Sequence, residues 1–176
     1  MILAGVTGKA GAGKDTIADY LVREHQFLKL SMAGPLKAAL AVMGMPEPAD
    51  RAAKELPLPG FDFTWREAAQ RLGTEWGRGL DPDIWVKIMS QKLQHFADNA
   101  RIVFSDIRFE NEAAMIRQLG GKVLHVTGRA ADLGTNAGHA SEAGISVFEQ
   151  DEIINNSRTL ETTFQHVRRA VFGSPL

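Results

Sequence analysis

The chain has 176 residues, of which 44% are hydrophobic and 23% charged, with a formal net charge of −1 and no cysteine. This length suits one domain with a single core, and the composition is that of a globular protein rather than a disordered one. The lack of cysteine excludes disulfides and thiolate metal sites, the near-neutral charge argues against nucleic-acid binding, and no apolar stretch reaches the roughly 20 residues of a membrane span.

The first predicted element is a buried strand over residues 2–6, which leads into a glycine-rich turn. Gly8 is separated from Gly13 and Lys14 by four residues, which is the spacing of a P-loop. In such a loop backbone N–H groups surround a phosphate, the lysine adds a positive charge, and the next helix directs its N-terminal end at the same phosphate. The residues expected to hold nucleotide phosphates are Gly8, Gly11, Ala12, Gly13, Lys14, Asp15 and Thr16.

Asp15 occupies the position after the lysine, where many P-loop NTPases have the Ser or Thr that binds Mg²⁺. The pattern Gly-Lys-x-Thr, which ends at Thr16, is more typical of small-molecule P-loop kinases than of GTPases or motor ATPases. A tight turn without a ligand is the alternative for the glycines, and an ordinary first-turn position is the alternative for Thr16.

The rest of the chain alternates predicted helices and strands. Gly73 is predicted to end the third helix or to open a turn. An apolar stripe is predicted to form the inner face of the fourth helix: Ile84, Ile88, Met89, Leu93 and Phe96. Helices are predicted over residues 14–24, 35–43, 64–73, 81–96, 109–119 and 160–171, and strands over 27–30, 101–105, 123–126 and 152–155. This alternation favours an α/β fold with a parallel sheet covered on both faces and ligands at the carboxyl ends of its strands.

Polar residues follow two of the predicted strands. Asp106 stands just past the strand at 101–105, where an acidic side chain in a P-loop fold can reach the Mg²⁺ of the nucleotide directly or through water, with an ordinary turn residue as the alternative. Arg108 is placed either to face a phosphate oxygen or to begin a helix in solvent. Asn155 and Asn156 near the last strand are expected to form a turn, with a purine contact as the alternative.

Polar and aromatic side chains are densest between residues 64 and 87. Arginine forks suit bidentate phosphate binding, a tryptophan face suits a nucleobase, and Gln or Thr can read the edge of a base. A core position is the alternative for both tryptophans. The candidates for contacts with an anionic substrate are Arg66, Gln70, Arg71, Thr74, Trp76, Arg78 and Trp85.

A glycine-rich segment at 128–144 is predicted to be an exposed loop. Arg129 at its start could close over a reacting phosphate and exclude water, with a solvated loop arginine as the alternative. Zinc binding by His139 and Glu142 is not expected, because a third ligand is missing.

Four segments together resemble the deoxynucleoside monophosphate kinases often encoded by bacteriophages, a branch of the P-loop nucleoside monophosphate kinase superfamily. The first is shared by phosphate-binding kinases in general, whereas the second is specific to this family. The segments are Gly-Lys-Ala-Gly-Ala-Gly-Lys-Asp-Thr at 8–16, Arg-Leu-Gly-Thr-Glu-Trp-Gly-Arg at 71–78 with Asp-Ile-Trp-Val at 83–86, Ser-Asp-Ile-Arg-Phe-Glu-Asn-Glu-Ala at 105–113, and His-Ala-Ser-Glu at 139–142.

The resemblance implies a three-layer P-loop kinase fold with a five-stranded parallel sheet, in which the strand ending at Asp106 lies beside the P-loop strand. It also implies one P-loop kinase domain with a helical monophosphate-binding insert and a short lid. The implied core consists of residues 1–31, 99–127 and 145–176, the monophosphate-binding region of 32–98, and the lid of 128–144.

The implied reaction transfers the γ-phosphoryl group of ATP to a deoxynucleoside monophosphate, giving a diphosphate and ADP. Asp15 and Asp106 would hold Mg²⁺ through water, and Arg129 would also contact ATP. The residues implied to be catalytic are Lys14, Asp15, Asp106, Arg108 and Arg129. Those implied to bind the acceptor are Lys37, Arg66, Gln70, Arg71, Thr74, Trp76, Arg78, Trp85, Glu112, His139 and Glu142.

Two other functions remain open from the sequence. The first is another P-loop small-molecule kinase, acting on dephospho-coenzyme A, phosphomevalonate or a sugar acid, and the second is a non-catalytic nucleotide-dependent switch. The N-terminal apolar run is too short for a signal peptide, so we expect a cytoplasmic protein. Its expected partner is a small-molecule substrate rather than a nucleic acid or a membrane, and a homodimer is left open.

Overall fold

The computed structural model describes residues 1–50, 52–128 and 145–173, and it divides into two compact units. Met1–Ser31 and Phe96–Leu176 form the first, which we call the sheet unit, and Met32–His95 form the second, which we call the helical unit. The helices are α1 (Lys14–His25), α2 (Gly34–Val42), α3 (Trp65–Gln70), α4 (Ile84–Leu93), α5 (Glu110–Gln118) and α6 (Leu160–Phe172), with a 3₁₀ helix at Ala52–Glu55 and a π-helix at Arg71–Arg78. None of the helices in the described ranges has the length and hydropathy needed to cross a bilayer.

Parallel strands form a five-stranded sheet in the sheet unit. The strands are β1 (Ile2–Thr7), β2 (Leu28–Leu30), β3 (Arg101–Phe104), β4 (Lys122–Thr127) and β5 (Glu152–Asn155), and their spatial order is β2-β3-β1-β4-β5. β1 lies at the centre, where Gly5 is in register with Phe104 of β3 and with Val123 of β4. The five-stranded parallel sheet is therefore confirmed, and β3 lies beside the strand that leads into the glycine-rich turn.

Helices cover both faces of this sheet, because successive residues of β1 point to opposite sides. On one face, Val6 belongs to a buried cluster with Ile17 of α1 and Val167 of α6. On the other face, Gly5 lies against α5, since a Cβ at this position would be 3.3 Å from Cγ1 of Ile116. The sheet unit therefore has three layers, with α1 and α6 on one side of the sheet and α5 on the other.

The helical unit has a hydrophobic core of its own. Leu36 and Leu40 of α2, Trp65 of α3 and Trp85 of α4 are the buried members of this cluster. Trp65 also donates a hydrogen bond from Nε1 to the carbonyl of Met45 at 3.1 Å, which satisfies its buried indole N–H. Residues 32–95 thus form a compact helical unit. That this unit binds the acceptor monophosphate stays a prediction.

The prediction that Gly73 ends the third helix is wrong. The chain passes from α3 directly into the π-helix at Arg71–Arg78, so Gly73 lies inside a continuous helical stretch. Close packing favours the glycine, because a Cβ would lie 2.8 Å from Cδ1 of Leu36. The carbonyl of Gly73 also accepts a hydrogen bond from Trp85 Nε1 at 2.8 Å, which fixes Trp85 against this stretch.

The predicted inner face of the fourth helix is wrong in part. Met89 and Leu93 of α4 are buried as expected, but Ile88 is 37% exposed and Trp85 is buried. α4 ends at Leu93, so Phe96 lies beyond the helix. The buried face of α4 is therefore the one that carries Trp85, Met89 and Leu93.

A buried ion pair stabilises the turn that leads into β5. Arg117 of α5 contacts both carboxylate oxygens of Asp151, at 3.0 and 2.7 Å, and also donates to the carbonyl of Ser146 at 3.0 Å. Burial raises the pKa of Asp151, but hydrogen bonds from Arg117, from the backbone N–H of Phe148 and from His125 outweigh burial and lower the pKa to about 2. The carboxylate is therefore held in its charged form with several donors around it.

Candidate functional site

The glycine-rich turn after β1 has a backbone that only glycine adopts readily. Gly8, Gly11 and Gly13 have φ values of 142°, 77° and 98°. A Cβ at Gly8 would also lie 2.4 Å from the carbonyl oxygen of Val126, and one at Gly13 would lie 2.2 Å from Nδ2 of Asn156. Conformation and close packing both require glycine at these two positions, as the P-loop motif predicts.

Lys14 extends back along this turn from the first residue of α1. Its Nζ donates hydrogen bonds to the carbonyls of Gly8 at 2.8 Å and Lys9 at 3.0 Å. Gly13 precedes the helix in a left-handed conformation, so the N–H groups of the first turn of α1 have no earlier acceptor within the helix. A cationic ammonium, a helix N-terminus and a close-packed glycine loop are together suited to binding the phosphates of a nucleotide.

Asp15 forms an ion pair that the sequence analysis did not anticipate. Lys29 of β2 contacts Asp15 at 2.9 Å and Asp19 at 3.0 Å, and so joins the start of α1 to the sheet. Burial lowers the pKa of Lys29, but the hydrogen bonds and charges of the two carboxylates outweigh burial and raise it. Thr16 is exposed on the same turn of the helix. The roles predicted for Asp15 and Thr16 toward a nucleotide stay predictions.

Asp106 lies at the same edge of the sheet as the P-loop. β2 and β3 are parallel neighbours with Leu30 in register with Phe104, so Ser31 and Asp106 both follow the carboxyl ends of paired strands. Ser31 Oγ donates a hydrogen bond to Oδ2 of Asp106 at 2.5 Å. A carboxylate and a hydroxyl are thereby held together next to the strand that carries the P-loop.

This donor set fits Mg²⁺ bound together with a nucleotide. Among the residues that the structure describes, no three His, Asp or Glu side chains are grouped to hold a metal ion. Mg²⁺ nevertheless needs only one or two carboxylates when water and substrate phosphates supply the remaining oxygen ligands. Asp106 with Ser31 offers such oxygens, whereas Asp15 engages the ammonium of Lys29.

Glu112 caps the helix that follows Asp106. It is 4% exposed, and its Oε2 accepts hydrogen bonds from the backbone N–H groups of Arg108 at 2.8 Å and Phe109 at 3.2 Å. The carboxylate thereby fixes the start of α5 and the backbone at Arg108, whose side chain is exposed. This structural role of Glu112 was not anticipated, and a contact with substrate stays a prediction for both residues.

Two of the predicted acceptor contacts in the helical unit form ion pairs. Lys37 contacts Glu47 at 3.1 Å, and Lys54 contacts the other carboxylate oxygen of Glu47. Burial raises the pKa of Glu47, but its hydrogen bonds with the two lysines outweigh burial and lower it. Arg66 pairs through Nε with Glu55. These cations are therefore partly neutralised within the unit.

The other polar candidates of the helical unit lie on or next to the π-helix. Gln70, Arg71 and Thr74 are exposed, whereas Arg78 is half-buried and donates a hydrogen bond to the carbonyl of Pro82 at 3.0 Å. This contact fixes the guanidinium of Arg78 against the turn before α4. The predicted binding role of these four residues stays a prediction.

The two candidate tryptophans differ in exposure. Trp85 is 8% exposed, and its ring packs so closely on the π-helix that a Cβ at Gly77 would lie 2.6 Å from it. This burial contradicts the prediction that Trp85 offers a face to a nucleobase and agrees with the core position given as its alternative. Trp76 is 55% exposed, so its indole is accessible.

The remaining site predictions lie outside the described residues. They are Arg129, His139 and Glu142, which belong to the segment predicted as a lid.

Sequence reasoning did not single out Lys29 and Ser31 of the sheet unit, and it expected Asn156 to form a turn rather than to contact the P-loop. Lys29 and Ser31 belong to β2 or follow it directly, and Asn156 follows β5, where it donates a hydrogen bond to the carbonyl of Ala12 in the P-loop at 2.9 Å. The signal that singled out Asp106, a polar residue just past a strand, also applies to Ser31 and Asn156. For Lys29 the sequence contains no such signal.

Comparisons with known proteins agree on a kinase family. A family model described as deoxynucleotide monophosphate kinase matches residues 61–167. A protein of Acanthamoeba polyphaga mimivirus, named a putative deoxynucleotide monophosphate kinase, is 29% identical in an alignment that covers 95% of this chain and 94% of that protein. The deoxynucleotide monophosphate kinase of Escherichia phage RB69 is 31% identical in an alignment that covers 60% of this chain and 45% of that protein.

The crystal structure of a sugar kinase from Janibacter sp. HTCC2649 is similar in fold. It aligns with a TM-score of 0.54 and 16% identity over 98% of this chain and 96% of that one. A likeness at this identity concerns the fold alone. The family model, in contrast, matches more than half of the sequence. The chain therefore belongs to the deoxynucleotide monophosphate kinase family.

Proposed function

We propose that this chain transfers the γ-phosphoryl group of ATP to a deoxynucleoside monophosphate, giving a deoxynucleoside diphosphate and ADP. The observation that carries the proposal is the P-loop of the sheet unit, with Lys14 folded over the glycines, in a chain whose family is named for this reaction. The related mimivirus protein, which is named a putative deoxynucleotide monophosphate kinase, aligns with nearly the whole chain.

Each described residue has a role that its surroundings support. Lys14 and the N–H groups at the start of α1 bind the β- and γ-phosphates and offset the charge that moves to the leaving oxygen. Mg²⁺, when bound with the nucleotide, neutralises phosphate charge, and Asp106, with Ser31 beside it and with Asp15 acting through water, would hold it. The attacking group is a phosphate oxygen that is already ionised, so no strong base is required.

The acceptor is assigned to the exposed polar surface of the π-helix. Arg71 offers a guanidinium and Trp76 offers an accessible indole on this element. A guanidinium pairs with a phosphate through two parallel hydrogen bonds, and an indole face stacks on a base. Arg129 is assigned to the transferred phosphoryl group on the grounds of its sequence position.

The test is a coupled assay of ADP release with a panel of acceptors. The panel contains the four common deoxynucleoside monophosphates, a ribonucleoside monophosphate, dephospho-coenzyme A, phosphomevalonate, gluconate and no acceptor. We expect stimulation by at least one deoxynucleoside monophosphate above every other acceptor. Stimulation by only another acceptor, or ADP release that is independent of acceptor, would refute the proposal.

The Lys14→Ala variant tests the donor site in the same assay. We expect kcat to fall by about 10³-fold, because a cation that stabilises the transferred charge is lost while the fold is kept. Arg23→Ala is the matched control, since Arg23 is an exposed cation near the other end of the same helix. A Lys14→Ala enzyme within about tenfold of the parent, or a control that loses as much, would contradict the assignment.

A further inference from the structure

Asn156 lies buried beneath the P-loop and is not among the residues assigned above to a substrate. The residue is 2% exposed. Its Nδ2 donates a hydrogen bond to the carbonyl oxygen of Ala12 at 2.9 Å, and its backbone N–H donates to the carbonyl of Thr127 at 2.8 Å. The side chain therefore joins the end of β5 to the middle of the phosphate-binding loop, and the backbone N–H joins it to the end of β4.

The contact with Ala12 sets the direction of one peptide group. In a trans peptide the carbonyl oxygen and the following N–H point in opposite directions. Because the Ala12 carbonyl points at Asn156, the N–H of Gly13 points away from Asn156. Gly13 also has φ 98°, and a Cβ there would lie 2.2 Å from Nδ2 of Asn156, so the same side chain explains why this position is glycine.

The carbonyl of Ala12 fixes which end of the Asn156 amide faces the loop, because a carbonyl oxygen can only accept a hydrogen bond. The hydroxyl of Thr163 in α6 lies 3.4 Å from Oδ1 of Asn156 and 3.1 Å from the carbonyl of Thr159. Thr163 is 1% exposed. A flipped amide would place its oxygen against the oxygen of Ala12, so Nδ2 is the atom that must face the loop.

We propose that Asn156 is a positioning residue that holds the Ala12–Gly13 peptide with the Gly13 N–H directed at a nucleotide phosphate. It acts through the loop and does not contact the nucleotide. The inference deepens the proposed function, because it rests on the phosphate-binding role of the P-loop. A donor fixed in advance costs no reorganisation when the phosphate binds, so its loss weakens binding of the phosphates specifically.

The test compares Asn156→Asp and Asn156→Ala with the parent. The aspartate has the same shape but presents an oxygen to the Ala12 carbonyl, whereas the alanine removes the donor without adding charge. Asn155→Asp is the matched control, because it adds the same charge one residue away at an exposed side chain whose Oδ1 keeps its bond to the N–H of Ser157. The probes are ATP and inorganic triphosphate, with binding measured by calorimetry below the unfolding temperature of each variant.

We expect both Asn156 variants to bind ATP and inorganic triphosphate about tenfold or more weakly than the parent, because a hydrogen bond to a charged group is misdirected. The KM for the deoxynucleoside monophosphate should stay within about twofold, as should triphosphate binding by Asn155→Asp. A general loss of folding would instead lower both affinities together. If Asn156→Asp does not fold, Asn156→Ala alone decides the question.

Triphosphate binding by Asn156→Ala within about twofold of the parent would overturn the inference, and so would an equal loss in the Asn155→Asp control. A parent that binds triphosphate but phosphorylates no deoxynucleoside monophosphate would refute the proposed function alone, and the comparison of variants would still decide this inference. A parent that binds no triphosphate would overturn both.

Discussion

The surroundings of the buried Asp151 carboxylate predict how much its charge contributes to the free energy of unfolding. Burial raises the pKa of Asp151, but hydrogen bonds from Arg117, a backbone N–H and His125 outweigh burial, so the pKa lies at about 2 rather than 3.8. One pKa unit corresponds to about 1.4 kcal/mol, so the charged carboxylate stabilises the fold by about 2 kcal/mol at neutral pH. Since the folded pKa is depressed, this stabilisation is complete above the unfolded pKa and disappears as the pH falls through both values. About half of it should be lost at pH 3.

Urea unfolding of the parent and of Asp151→Asn between pH 5 and pH 3 measures this contribution. At pH 5 we expect the variant to be about 3 kcal/mol less stable, because the buried guanidinium of Arg117 loses its bidentate partner. The difference should shrink by about 1 kcal/mol at pH 3, because only the parent loses the charge of Asp151. Far-UV circular dichroism is the appropriate signal, since tryptophan fluorescence reports the helical unit, which contains Trp65, Trp76 and Trp85.

Asp62→Asn serves as the control, because it makes the same chemical change at an exposed position. Its free energy of unfolding should stay within about 0.5 kcal/mol of the parent at each pH. A difference between the parent and Asp151→Asn that stays constant from pH 5 to pH 3 would refute the reasoning. It would mean that Asp151 has the same pKa in the folded and unfolded chains.

Two further predictions concern the tryptophans and the helix cap. Trp76→Leu should raise KM for the deoxynucleoside monophosphate several-fold and change the free energy of unfolding by less than about 0.5 kcal/mol. Trp85→Leu should lower the free energy of unfolding by about 3 kcal/mol and leave that KM unchanged in the folded fraction. Steady-state kinetics with urea titrations separate the two, and the reverse pattern would exclude Trp76 from the acceptor site. Glu112→Ala should destabilise the chain by about 2 kcal/mol, because two backbone N–H groups lose their acceptor. Chemical unfolding checks this value, and an unchanged midpoint would show that the cap contributes nothing.

The strands and the P-loop were predictable because their signals are local. An apolar run followed by glycines at fixed spacing determines β1 and the turn after it, and β5 was placed over the same four residues that the structure gives. The neighbours of β1 in the sheet could not be predicted from local signals, because strand order depends on contacts between distant segments that hydrophobic periodicity does not encode. The resemblance to a kinase family provided one of these neighbours, the strand that ends at Asp106, and not the rest of the order.

The errors arose where distant packing overrides local preference. Gly73 has the low helix propensity of a stop signal, yet Leu36 and Trp85 pack on it within a continuous helix. Asn156 looked like a turn residue because its partner, Ala12, is 144 residues away in sequence. A single polar side chain without a repeated pattern cannot reveal such a partner.

The position of the helical unit within the chain has a consequence for evolution. Residues 32–95 lie between β2 and β3, which are adjacent strands of one sheet with Leu28 in register with Ile102. Among the described residues, the strand pairings of the sheet involve none from that segment. A descendant could therefore replace the whole segment by recombination and keep its P-loop, Asp106 and sheet register unchanged. Under the proposed function, in which the helical unit binds the acceptor, such an exchange would change the acceptor and keep the phosphate-binding scaffold.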